Sequence, residues 1–266
     1  MSKRKAFHPV NENGWLKEFR RELSAFQMVS PRTAFLDFIH LALDAFLSDH
    51  TAEHPREKHY MSIIKNYSKQ DANRFGDMLG CIIGHMQETG SECLAELWEE
   101  YASSSELGQF FTPKHVCDLM AKITMGDEVE WGKYSRERPC WISDPSCGAG
   151  RCFTSVLEGV GKGRQDIIVF HGIDIDKTVC EVAALNMLFF NANSVILNGD
   201  TLGMNVWGGY MTHHSPFGGQ ISEITDAETL KNCMSMGLPL REANVEDMPT
   251  PETPVTRKMV QLELFA

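Results

Sequence analysis

The sequence predicts an α/β fold, a parallel βαβ sheet preceded by a helical region, on three observations. Apolar side chains keep helical spacing through roughly the first hundred residues. After residue 140, short apolar runs that end in acids recur. A glycine-rich turn follows the first of those runs.

The helical region is expected over residues 1–105. Phe35, Phe38, Ile39, Ala42, Phe46 and Leu47 recur at three- and four-residue steps, which is one buried helix face. Ser30-Pro31 reads as its start, because serine caps orphan N–H groups and proline suits the first turn. Two shorter helices are expected over Phe75–Gln87 and Cys93–Tyr101.

The pattern then changes. Trp141-Ile142-Ser143 reads as a strand stopping at Asp144-Pro145, followed by Ser146-Cys147-Gly148-Ala149-Gly150 and a helix from about Cys152 to Leu157. Residues 167–172 form a β-branched apolar run suited to a strand covered on both faces, ending at Asp174. A helix follows from Lys177 to about Asn191, then a third strand over Ser194–Leu197 ending at Asn198-Gly199-Asp200. Beyond Asp200 there is room for about one more strand. Residues 106–236 are thus the expected sheet domain. From 237 to 266 the chain reads as an acidic, proline-containing tail with little to bury.

Composition narrows the classes. At 42% hydrophobic and 23% charged the chain is of ordinary globular make-up, and no run approaches the roughly 20 apolar residues of a membrane span. Eight cysteines include no C-x-x-C pair, so reduced thiols, a cytoplasmic location and no metal site are expected. A net charge of −11 opposes phosphate binding, although Lys3, Arg4, Lys5, Lys17, Arg20 and Arg21 gather near the N-terminus. That cluster reads as a nucleic-acid-facing patch or as an ordinary solvated helix face.

In an open parallel sheet, ligands bind beyond the carboxyl ends of the strands, where the strand order reverses. Glycines at 148 and 150 allow close backbone approach, Asp174 is placed to accept from two ribose hydroxyls, and Asp200 from an adenine amine. The acid at 144 would repel a pyrophosphate but suits the ammonium of a methionine moiety. An adenosine-containing ligand is implied.

Gly108-Gln109-Phe110-Phe111-Thr112-Pro113, Asp144-Pro145-Ser146-Cys147-Gly148-Ala149-Gly150, Gly172-Ile173-Asp174-Ile175-Asp176 and Gly199-Asp200-Thr201-Leu202 stand in an order that resembles the adenine-specific DNA methyltransferases. The nearest likeness, over roughly residues 106–202, is to the modification subunit of type I restriction-modification systems. The resemblance implies a Rossmann-like, class I S-adenosylmethionine-dependent sheet, here shortened. It assigns the cofactor to Phe110, Phe111, Thr112, Pro113, Asp144, Pro145, Ser146, Cys147, Gly148, Gly150, Asp174, Ile175, Asp200, Thr201 and Leu202. It implies methyl transfer to the exocyclic amine of adenine in DNA, with a specificity subunit or self-association completing the machinery.

The family's Asn-Pro-Pro-Phe/Tyr motif is absent. His214-Ser215-Pro216-Phe217 is the nearest string, which makes His214, Pro216 and Phe217 the catalytic candidates. The other readings are a catalytically degenerate S-adenosylmethionine-binding accessory of DNA metabolism or anti-restriction, and a methyltransferase of another substrate. Finally, Gln261-Leu262-Glu263-Leu264-Phe265 resembles the pentapeptide that docks bacterial proteins on the sliding clamp, with Gln261, Leu262, Leu264 and Phe265 as anchors.

Overall fold

A computed structural model describes residues 14–102, 111–126, 129–161 and 163–236. Phe110, the basic residues at 3–5 and the clamp-like pentapeptide lie outside these residues.

Five helices open the described residues: α1 (Gly14–Ser24), α2 (Pro31–Leu47), α3 (Pro55–Ile64), α4 (Lys69–Thr89) and α5 (Leu94–Tyr101). Ser30 caps α2, its side chain accepting from the Thr33 N–H, with Pro31 in the first turn as expected. Ser68 caps α4 in the same way, and Gly90 ends that helix with φ of 70°.

Helix α6 (Lys114–Thr124) leads into the sheet: β1 (Cys140–Asp144), α7 (Arg151–Val160), β2 (Ile168–Asp174), α8 (Lys177–Phe189) and β3 (Asn193–Asp200). Strands β1, β2 and β3 are parallel neighbours. Asp176 caps α8 by accepting from the Thr178 and Val179 N–H groups.

The remainder departs from expectation. Two more strands follow, β4 (Asn205–His213) and β5 (Gln220–Ile224), then α9 (Ala227–Met236). Both strands run antiparallel to their neighbours, and the order is β1-β2-β3-β4-β5. Among the described residues the order nowhere reverses, and β1 is an edge. The hairpin was hidden because Gly208 and Gly209 erase the alternation of side chains that marks a strand. Gly209 is required there, since a Cβ would stand 2.8 Å from the Leu197 side chain and 2.9 Å from a backbone oxygen.

One buried cluster runs from Trp15 through Phe35, Leu97 and Phe170 to Tyr210. Polar clasps reinforce it. Asp44 of α2, fully buried, takes Arg56 (3.0 Å) and His59 (2.5 Å) of α3, and Arg56 reaches on to Glu223 of β5. Glu181 of α8, also buried, takes His40 (2.9 Å) and the Tyr210 hydroxyl (3.1 Å). A smaller apolar cluster lies under α9, formed by Ile173, Val195, Leu197, Ile224, Leu230, Cys233 and Met234. No helix among the described residues is long and apolar enough to cross a membrane.

Candidate functional site

Three acids, Asp144, Asp174 and Asp200, are the last residues of β1, β2 and β3. Asp144 pairs with Gly172, and Asp174 pairs with Asn198. Each acid therefore stands two residues beyond the partner of the one before. Because side chains alternate along a strand, a two-residue stagger keeps all three on one face of a stepped rim.

The rim is built from its own backbone. The Gly148 N–H donates to Asp174 Oδ2 (2.9 Å) and the Asp176 N–H to Oδ1 (3.0 Å). Burial raises the Asp174 carboxyl above the usual carboxylate range, against the lowering effect of those two N–H groups. The Ser146 N–H donates to Asp144 Oδ1 (2.9 Å). Asp200 Oδ1 accepts from the N–H groups of Leu202 and Gly203, both at 3.0 Å. The Thr201 hydroxyl donates to the Pro145 carbonyl (2.7 Å), tying the end of β3 to the turn after β1. From below, buried Asn186 of α8 donates to the Ala149 carbonyl (2.9 Å).

Gly148 has φ of 54°, and a Cβ there would sit 3.2 Å from the Phe111 ring, so backbone replaces side chain at the point of closest approach.

Two lobes open above this floor. The first, about 330 Å³, is lined among others by Phe111, Thr112, Asp144, Cys147 and Gly148. The second, about 190 Å³, is lined among others by Pro145, Gly199, Asp200, Thr201 and Leu202. They share Ser146, Asp174 and Ile175. A bent, two-part ligand fits such a cleft, with one end over the glycine turn and the other over the end of β3. An adenosine carrying an amino-acid arm has that form, and the carboxylates suit its cationic groups.

Two of the described residues in the expected cofactor set line neither lobe. Pro113 precedes the first turn of α6, and Gly150 (φ 80°) precedes that of α7. Conversely, Ala95 and Glu99 of α5, Arg151, and the thiols Cys117 and Cys152 line the first lobe without having been expected there. Only Arg151 carried a local signal, since it follows the glycine turn directly. The two thiols stand 3.2 Å apart, and burial pushes the Cys152 thiol up to about 12.

The catalytic candidates are corrected by the topology. Because β4 is antiparallel to β3, with Asp200 opposite Asn205 and Ser194 opposite Thr212, His214 lies at the start of β3. Seven residues at about 3.3 Å each separate that end from the acid rim, roughly 23 Å. His214 Nδ1 contacts the Asn191 carbonyl (2.8 Å) and its N–H donates to Asn193 Oδ1 (2.9 Å). Pro216 and Phe217 sit exposed in the β4–β5 turn. His214, Pro216 and Phe217 therefore form a hairpin clasp remote from the cleft. They resembled a motif because spacing along the chain does not record strand direction.

Behind the first lobe, burial pushes the Glu92 carboxyl up to about 7 from an ordinary 4.5. A raised carboxyl binds its proton more tightly in the folded chain, so stability falls as pH rises from about 4.5 to 7, by up to about 3 kcal/mol for this group. E92Q is expected to flatten that part of the stability–pH curve, as measured by urea unfolding between pH 4.5 and 8.

Comparison with known proteins gives matches over part of the chain. Residues 92–219 match the family described as N-6 DNA methylase. Over 147 residues the chain is 26% identical to the type I restriction enzyme MpnII methylase subunit of Mycoplasma pneumoniae, covering 54% of this chain and 23% of that protein. The chain thus spans under a quarter of that relative's length. The crystal structure of a class I S-adenosylmethionine-dependent methyltransferase from Listeria monocytogenes aligns over 69% of this chain and 53% of its own. The identity is 15% and the TM-score 0.34, a loose likeness.

Proposed function

From a segment, residues 92–219, that is of the N-6 DNA methylase family, we propose that this chain is the cofactor-holding part of a DNA methyltransferase acting on the exocyclic amine of adenine. S-adenosylmethionine is the cofactor that family implies, and it supplies an electrophilic methyl group. The observation carrying the reading is the stepped rim of Asp144, Asp174 and Asp200 beside a two-lobed cleft.

In this reading Asp174 accepts from the ribose hydroxyls, Asp200 from the adenine amine, and Asp144 faces the methionine end beside Phe111. Gly148 leaves the space that arm needs. The groups that hold the target amine are supplied by a partner, a specificity subunit or a second copy, since the sequence has no Asn-Pro-Pro and its nearest string lies at the far end of the sheet. The tail residues Gln261, Leu262, Leu264 and Phe265 dock on a sliding clamp, and an F265A chain is expected to lose capture by the clamp.

The deciding experiment measures labelled methyl transfer to mixed DNA, with and without a restriction-system partner, beside calorimetric titration of S-adenosylmethionine. Transfer to adenine that requires the partner is expected. Tight cofactor binding with no transfer under any condition would instead support a second reading, a binding accessory without its own chemistry. The remoteness of the His214 string favours that alternative. Absence of binding at millimolar cofactor overturns both. H214A and F217A are expected to leave the cofactor dissociation constant within about twofold of wild type, because neither side chain reaches the cleft.

A further inference from the structure

Arg151 has no part in the chemistry so far. It is the first residue of α7, directly after the glycine turn, and its side chain is nine-tenths buried in the wall of the first lobe. Among the described lining residues it is the one cation, facing the carboxylates of Glu99, Asp144 and Asp174. One guanidinium nitrogen donates to Glu99 Oε1 and, at 3.4 Å, to the Thr112 carbonyl. Its Nε has no hydrogen-bond partner and lies 3.8 Å from Glu92 Oε2, beyond hydrogen-bond reach. The guanidinium as a whole nevertheless lines the lobe, where it can meet an incoming anion.

The methionine arm of S-adenosylmethionine carries a sulfonium, an ammonium and a carboxylate. Three carboxylates and one guanidinium match those charges in sign, and Arg151 is the one positively charged side chain among the described lining residues to meet the carboxylate. A guanidinium offers donors in a planar fork that fits a carboxylate, and the first turn of α7 adds its own N–H groups and dipole. We infer that Arg151 anchors the carboxylate of the cofactor's methionine arm, and that Glu99, reaching in from α5, is the residue that positions it. The inference rests on the cofactor assignment above. The helical half of the chain thereby takes part in cofactor recognition.

The test is calorimetric titration of the full chain with S-adenosylmethionine and with decarboxylated S-adenosylmethionine, which keeps the amine and lacks the carboxylate. Wild type is expected to bind the decarboxylated compound about 10- to 100-fold more weakly, as befits one charge-assisted contact. R151M is expected to bind the two equally, near the weaker value, and E99Q to narrow the gap while retaining part of it. R151K, which keeps the charge without the fork, covers the case in which R151M does not fold, and its gap is expected to shrink to a few-fold. Equal binding of both compounds by wild type, or an undiminished gap in R151M or R151K, overturns the inference while leaving the cofactor assignment intact. Binding of neither compound by wild type removes the assignment itself.

Discussion

Replacing Asp174 with alanine is expected to raise the dissociation constant for S-adenosylmethionine roughly 100-fold or more. The effect has two sources. Asp174 is proposed to take the ribose hydroxyls, and its carboxylate already receives the N–H groups of Gly148 and Asp176, so its loss removes both a ligand contact and the peg that holds the glycine turn. D174N separates the two, because an amide keeps one acceptor oxygen and is expected to lie between wild type and alanine. The ionised carboxylate is the form that accepts ribose hydroxyls, and burial raises its pKa. Affinity should therefore weaken as pH falls through that raised value. Calorimetry across mildly acidic to neutral pH checks both; an unchanged D174A affinity would remove the acid from the site.

D44A is expected to produce the largest loss of stability, about 3–5 kcal/mol by urea denaturation, because it removes the fully buried carboxylate that holds Arg56 and contacts His59. Asp44 is fully buried, and Arg56 beside it is only 12% exposed. Arg56 also reaches Glu223 of β5 (2.5 Å), so removing Asp44 loosens the clasp between α2, α3 and the sheet and leaves Arg56 with Glu223 as its remaining carboxylate. D44N, which keeps an acceptor, should cost less. A D44A chain as stable as wild type would mean that water readily replaces the lost carboxylate.

Much of the architecture was legible locally. Ser30-Pro31 and Asp176 announce helices through short-range hydrogen bonds, and the runs before Asp144, Asp174 and Asp200 are strands whose acids must emerge at one rim if the strands are parallel. What escaped was everything set by long-range pairing. Nothing near His214 reveals that β4 runs antiparallel to β3, yet that direction decides which end of the sheet the string occupies. Likewise Glu99 looks like one more acid in a solvated acidic stretch. Only the folded chain sets its carboxylate on Arg151 at the start of α7. Gly172 illustrates the middle ground: a glycine in an apolar strand suggests a close approach, but that Cys147 and Phe153 fill the space (2.7 and 2.9 Å from a hypothetical Cβ) is visible only in three dimensions.

The position of β1 has a practical corollary for anyone handling the protein. Its outward flank offers a row of amide and carbonyl groups with no neighbouring strand among the described residues, and Trp141 on it is 39% exposed. Such a seam recruits further chains, so self-adhesion in the test tube should steepen with concentration and warming. A lysine at position 141 would blunt it by putting a charge where any incoming strand must lie.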